Sequence, residues 1–229
     1  MSYKTTVPDI AYGRKADSMR LTIFGATGGT GTCLVRQALA AGYEVTAVVR
    51  DPARLTVPAS PRLRAVTADV LDPAAIVTSV AGVDAVITAI GPRANGRTTI
   101  SQDSAQSIIE AMTKAGTRRL ITVSGTIAAD EGDGPVLRYL LKPLARATQL
   151  RHVCADMRRA EAEVRDSQLD WTIMRPPRLT DRPATGRYRT AIDSNPPRAF
   201  SLPRADLATC ILGLVNDQSA VHRHIGIAL

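Results

Sequence analysis

The residues best suited to chemistry fall in two places near the start of the chain. Gly25-Ala26-Thr27-Gly28-Gly29-Thr30-Gly31 follows an apolar run at 20–24 and leads straight into a helical pattern. Glycine at 25 permits a tight turn, glycine at 28 lets a ligand approach the backbone with no Cβ in the way, and glycine at 31 allows the helix to lie close on the strand. Unpaired amides and the positive end of the helix dipole then face whatever the loop holds, which suits a diphosphate. The second place is Arg50, at the end of the next apolar run. Dinucleotide sites that prefer an unphosphorylated ribose usually carry an acid there, roughly 20 residues past the glycines. A guanidinium instead matches a 2′-phosphate, which a carboxylate would repel. Arg54, one helical turn on, can assist, while Asp51-Pro52 reads as the cap of a short helix. The expected cofactor is therefore NADP(H) in preference to NAD(H).

These groups need a scaffold that brings strand ends and helix starts to one edge. Apolar runs of strand length at 20–24, 44–49, 64–67, 85–90, 119–124 and 171–174, with a last short one at 225–228, alternate with amphipathic helical stretches. That alternation predicts an α/β fold of the Rossmann type, a doubly wound parallel sheet with small substrate-side elements toward the C-terminus. Helices are expected over 32–41, stopping at Gly42, over 104–115, stopping at Gly116, and over 207–215. No internal repeat or linker divides the chain, so 19–229 is read as one domain and the polar leader 1–18 as an appendage. The 130–150 stretch, acidic and Gly-rich at first and then basic and amphipathic, is a candidate lid.

With 229 residues, 45% of them hydrophobic and 22% charged, the chain can bury one sizeable core. The formal charge of +8 gathers largely between Arg138 and Arg165, but aromatic residues make up only 3%, too few for a base-stacking platform. Nucleic acid is therefore not an expected partner. Cys33, Cys154 and Cys210 lack the spacing of a disulfide framework or zinc site and are read as buried thiols. His152, His222 and His224 do not suggest a metal site. The absence of an apolar leader core, and of any run near the roughly 20 apolar residues that span a bilayer, predicts a cytoplasmic protein with no membrane contact.

The segments GATGGTG, VVRDPARL, Asp69-Val70, TAIGPR, VSGT, DWTIMRPPRLTDRPATGRY and LPRADLA resemble an atypical short-chain dehydrogenase/reductase. The group in question is the NAD(P)H-binding one that includes NmrA-like proteins and the biliverdin and flavin reductases, and the likeness covers nearly everything from Met19 onward. It implies that Asp69 and Val70 flank the adenine, that Ala89, Ile90 and Gly91 line the ribose side, and that Ser124 sits by the nicotinamide. Pro176 and Pro177 would close that pocket. Dehydrogenases of this superfamily carry Tyr-x-x-x-Lys on the helix after the fifth strand; when RRAEAEVRDS is aligned with the usual end of that helix, Val153 and Met157 stand in those places. Neither moves a proton, which disfavours alcohol dehydrogenation and sugar epimerisation unless Tyr139 in the lid reaches the site. The reductases have a histidine after the Pro-Pro pair where this chain has Arg178, a change that argues against biliverdin and for an acceptor bearing carboxylate or phosphate.

Hydride transfer to a stacked, planar, conjugated acceptor tolerates the loss of the Tyr-Lys pair, because alignment matters there more than a tuned acid. The expected activity is an NADPH-dependent reductase acting on a flavin, quinone or related small molecule, with Ser124, Tyr139 and Arg178 as candidate catalytic residues. Two alternatives stand beside it: an NmrA-like sensor that binds NADP without turnover, and a pathway isomerase or dehydratase of the same fold. Ser124 either bonds a substrate carbonyl or only ends its strand. Asp156 and Glu161 are read as a solvated helix face paired with Arg158, Arg159 and Arg165, Asp206 as a cap or first-turn acid, and Arg93 and Arg97 as solvated loop residues.

Overall fold

A computed structural model describes residues 19–92, 97–128 and 150–229. The strands are β1 (Arg20–Phe24), β2 (Glu44–Val49), β3 (Leu63–Thr67), β4 (Ala85–Thr88), β5 (Arg119–Val123), β6 (Asp170–Arg175), β7 (Arg178–Thr180), β8 (Arg189–Ile192), β9 (Ser201–Pro203) and β10 (Arg223–Ala228). The helices are α1 (Gly29–Ala40), α2 (Pro73–Val80), α3 (Ile100–Ala115), α4 (Leu150–Asp166) and α5 (Arg204–Gly213). One sheet runs β3-β2-β1-β4-β5-β6-β10-β8, and β7 pairs with β9 apart from it. Every pair in the large sheet is parallel except β10 with β8, so the expected parallel sheet carries one antiparallel edge strand.

The order reverses at β1, where β2 and β4 leave on opposite sides, and helices cover both faces. Leu34, Val35 and Ala38 of α1 pack with Leu207, Ala208 and Ile211 of α5 on one face. On the other, Ile76 and Val80 of α2, Ile108 and Met112 of α3, and Val164 of α4 form the second core. A central strand buried on both faces has to be apolar at consecutive positions. Leu21, Thr22, Ile23 and Phe24 are all fully buried, and the Thr22 hydroxyl donates to the Ser79 carbonyl at the end of α2.

Helix ends follow the punctuation in the sequence. Gly42 (φ 87°) and Gly116 (φ 72°) take the left-handed conformation just past α1 and α3. The Tyr43 amide donates to Ala38, and the Thr117 amide to Met112, closing the last turns. Helix α1 begins at Gly29, three residues earlier than the apolar period indicates, and so takes the glycine string into its first turn. Buried Arg119 ties β5 to the end of α5 by donating to the carbonyls of Leu214, Val215 and Asp170 and to the Thr172 hydroxyl. Burial pulls its pKa down to about 10, so it stays cationic at neutral pH.

Cys154 and Cys210 are buried, but Cys33 is only partly so, which corrects the expectation that all three are interior. Among the described residues no helix is long and apolar enough to cross a membrane, and no group of three His, Cys, Asp or Glu is placed to hold a metal ion.

Candidate functional site

The glycine string forms a cradle at the switch point of the sheet. Gly25 has φ 76°, and a Cβ there would lie 2.7 Å from the Ala89 carbonyl oxygen at the end of β4. At Gly31 a Cβ would run into the Gly25 carbonyl oxygen and stand 2.7 Å from the Ala26 Cα, so α1 rests directly on the loop backbone. The Gly28 amide donates to Gly25 (2.9 Å), and the Thr32 amide to Gly28 (2.8 Å), which sets the first helical turn. No side chain caps α1, and its first turn carries no acid. Gly28 and Gly29 are exposed while Ala26, Thr30 and Gly31 are buried and Thr27 is intermediate. An exposed helix start with no side-chain cap and no Cβ at its rim fits a dinucleotide diphosphate.

One neighbour of this cradle escaped sequence reasoning. The Arg204 side chain crosses Gly29, its Cδ and Nε each 2.8 Å from where a Cβ would stand. Its Nη1 donates to Asp181 Oδ1 at 2.7 Å. Cys33, one turn along α1, feels the same charge: burial pushes its thiol pKa up, while the Arg204 and Arg36 guanidinia oppose the rise.

At the adenosine end, Arg50 and Arg54 are both exposed, and neither guanidinium is bonded to a described residue. Asp51 Oδ1 accepts from the Ala53 amide at 3.0 Å, so it caps the 3-10 turn Pro52–Arg54 as its sequence context indicates. Across β2, the exposed Asp69 follows β3 and accepts from the Leu71 amide, and half-buried Val70 packs on the second core.

The other end of the crevice gathers the carboxyl ends of β4, β5 and β6. Ala89 and Ile90 are half-buried and Gly91 is exposed. The Ser124 amide donates to Met174 (2.8 Å) and the Thr126 amide to Pro176 (2.9 Å), which knits the end of β5 to the buried Pro176-Pro177 pair. Arg178 is exposed on β7, opposite Ser201 of β9. Ser124 lines a recess of about 20 Å³ with Ile90, Ser101, Thr122, Met157 and Glu161. The Ser124 and Ser101 hydroxyl oxygens are buried there with no hydrogen-bond partner among the described residues. Tyr139, Arg93 and most of the 130–150 segment lie outside the described residues.

Asp156 and Glu161 are not a solvated face. Asp156 is fully buried and accepts from the Ser101 (3.0 Å) and Gln102 (3.1 Å) amides, so α4 caps the start of α3 with a carboxylate. Glu161 is 4% exposed and takes a two-pronged ion pair from Arg175, at 3.2 and 2.6 Å. Two of the three arginines expected as their partners bond elsewhere: Arg158 to the Ala128 carbonyl and Arg159 to Gln102. Asp206, in the first turn of α5, accepts from Thr185 and Gly186 and so pins the loop before β8. Met157 lies in the Ser124 recess and Val153 is buried one turn before it, so these helix positions offer no proton donor. A serine at a strand end was visible in the sequence, and so was Met157 at the place of the family's Lys; Ser101 and Thr122 carried no signal that they would join them.

A family model described as NAD(P)H-binding matches residues 25–218, from the cradle to just before β10. This chain belongs to the NAD(P)H-binding family. It is 30% identical over 73% of its length to an uncharacterized chloroplastic protein of Arabidopsis thaliana. The chain spans under two thirds of the length of the curated relatives it matches, 61% and 65%. Among solved structures, an anaerobilin reductase from Escherichia coli O157:H7 superposes with a TM-score of 0.74 at 25% identity, covering 92% of this chain and 97% of that one. A short-chain dehydrogenase/reductase of Veillonella parvula, solved in complex with NADP, gives 0.73 at 18% identity, covering 92% and 94%. Within the family the fold is the Rossmann one, its solved neighbours include short-chain dehydrogenase/reductase-like oxidoreductases, and the cradle is the part of this NAD(P)H-binding chain that fits the dinucleotide.

Proposed function

We propose that this protein is an NADPH-dependent reductase that passes hydride to a planar, conjugated small molecule such as a flavin or quinone. The carrying observation is the meeting, at one sheet edge, of an uncapped glycine cradle, an exposed arginine after β2 with no partner among the described residues, and a buried serine hydroxyl at the end of β5. Bound dinucleotide supplies the hydride; the chain binds, orients and shields. The α1 amides hold the diphosphate, Arg50 with Arg54 takes the 2′-phosphate, and Asp69 with Val70 flanks the adenine. Ala89, Ile90 and Gly91 line the ribose side, while Pro176 and Pro177 back the nicotinamide. Ser124 donates to the acceptor carbonyl, and exposed Arg178 draws a carboxylate or phosphate on the acceptor. The proton comes from water, since Met157 and Val153 cannot supply it. The name of the anaerobilin reductase supports a reductase over other oxidoreductase chemistries. Three cysteines without a disulfide suit a reducing compartment such as the cytoplasm.

A second reading, an NADP-binding sensor without turnover, is favoured by the size of the Ser124 recess, which holds about one water molecule rather than a substrate. Rapid mixing of protein and NADPH with a panel of flavins and quinones separates the two. The reductase oxidises NADPH well above the protein-free rate with at least one acceptor; tight NADPH binding with no oxidation across the panel leaves the sensor.

Cofactor choice has its own test. Loss of one charge-assisted contact costs about 2 kcal/mol, or roughly 30-fold. Arg50→Ala is expected to weaken NADPH binding by about that factor in calorimetry and to leave NADH within about twofold. Equal losses for both cofactors would remove Arg50 from the selection of the 2′-phosphate.

A further inference from the structure

Arg204 has no place in the site so far, yet it lies across the cradle. Its stem occupies the space over Gly29 that any other residue type would fill with its own Cβ. The topology explains how it gets there. Strands β7 and β9 run parallel with Thr180 opposite Pro203, so the residues that follow, Asp181 and Arg204, leave the ladder side by side. Arg204 opens α5, which packs against α1 through Leu207, Ala208 and Ile211, so its guanidinium is delivered to the start of α1. The Gln37 side chain donates to the Ala205 carbonyl at 2.9 Å and holds the two helices in that register.

The partner of Arg204 is weakly held. Asp181 is 87% exposed and Arg204 27% exposed, and ion pairs this wet contribute little. A diphosphate at the α1 amides carries more charge than one carboxylate, and the positive end of the α1 dipole favours it beside Arg204. It therefore outcompetes Asp181 for the guanidinium.

We propose that Arg204 is a diphosphate clamp: on dinucleotide binding its side chain leaves Asp181 and bonds the diphosphate oxygens above Gly29. Asp181 is its resting counter-ion and competes with the ligand. This inference rests on the dinucleotide site described above. It differs in which phosphate is read: Arg204 takes the bridge shared by NAD and NADP, Arg50 the 2′-phosphate that only NADP has.

Calorimetry on the full chain, with melting curves to confirm folding, tests it with three probes: NADPH, ADP-ribose and adenosine 2′-monophosphate. Arg204→Ala is expected to weaken NADPH and ADP-ribose by about 30-fold each and to leave adenosine 2′-monophosphate within about twofold. Arg204→Lys retains part of the affinity. Asp181→Asn tightens both diphosphate ligands by about threefold at low salt, and the gain fades as salt rises. Unchanged diphosphate affinity in Arg204→Ala, or weaker binding in Asp181→Asn, overturns the clamp while leaving the cofactor site standing. A parent protein that binds none of the three probes overturns both.

Discussion

Gly31→Ala is expected to lower stability by about 3 kcal/mol and to take NADPH binding below detection, while Gly213→Ala, the same chemical change, leaves binding intact and raises stability by about 0.5 kcal/mol. The contrast comes from what each methyl meets. At 31 it would enter the space of the Gly25 carbonyl oxygen and of the Ala26 Cα at 2.7 Å, both backbone atoms with nowhere to go. The relief is for α1 to lift off β1, which strains the buried contacts of Leu34 and Val35 and moves the amides proposed to hold the diphosphate. At 213, in the last turn of α5, nothing lies within 4 Å, and the helical backbone gains from losing glycine's freedom in the unfolded chain. Chemical denaturation gives the stability change and calorimetry the affinity. A Gly31→Ala protein that binds NADPH normally would mean that the close seat of α1 is not what places those amides.

The seat was legible in the sequence because three signals coincide there: a strand apolar at consecutive positions, glycines at fixed spacing, and a helix pattern that follows at once. The strands 44–49 and 119–124 were legible for a related reason, since parallel strands covered on both faces are apolar at most positions. The stretches that became β7, β8 and β9 were not. They are three or four residues long and partly exposed, and their pairing depends on partners 23 to 39 residues away that no local pattern announces. Arg204 was hidden for the same reason, because its position over Gly29 is set by the β7-β9 register and not by its neighbours. Asp156 and Glu161 were misread because charge in an amphipathic helix usually faces water. Both flank the apolar stripe of Val153, Ala160 and Val164, and both are buried because a specific partner awaits each: two free amides at the start of α3, and the guanidinium of Arg175.

That Arg175–Glu161 pair is the site of the other large effect. The two side chains are 7% and 4% exposed, so removing one takes from a buried charge the two-pronged partner that compensates its lost hydration. Glu161→Ala is expected to cost about 4 kcal/mol, lowering the melting temperature by roughly 12 °C for a chain of this size. Replacing both partners, as Glu161→Gln with Arg175→Met, should cost less than Glu161→Ala alone, because most of the penalty is a buried charge that has lost its closest compensation and not the lost attraction. His224 sharpens the test. Its ring lies 3.9 Å from Glu161 and 3.7 Å from Asp193 and stacks edge-on against Trp171. Burial lowers its pKa below the usual 6.5, Arg175 pushes it lower still, and Glu161 pulls it back up. In the unfolded chain this histidine binds its proton first as the pH falls, so stability drops as pH moves down from about 6.5 toward the folded-state value. Glu161→Gln removes the carboxylate that favours the imidazolium and should enlarge that loss, whereas His224→Gln should abolish its contribution. Melting curves of the three proteins between pH 7.5 and about 5 decide it: parallel curves would mean that the buried charges under β10 do not titrate with folding.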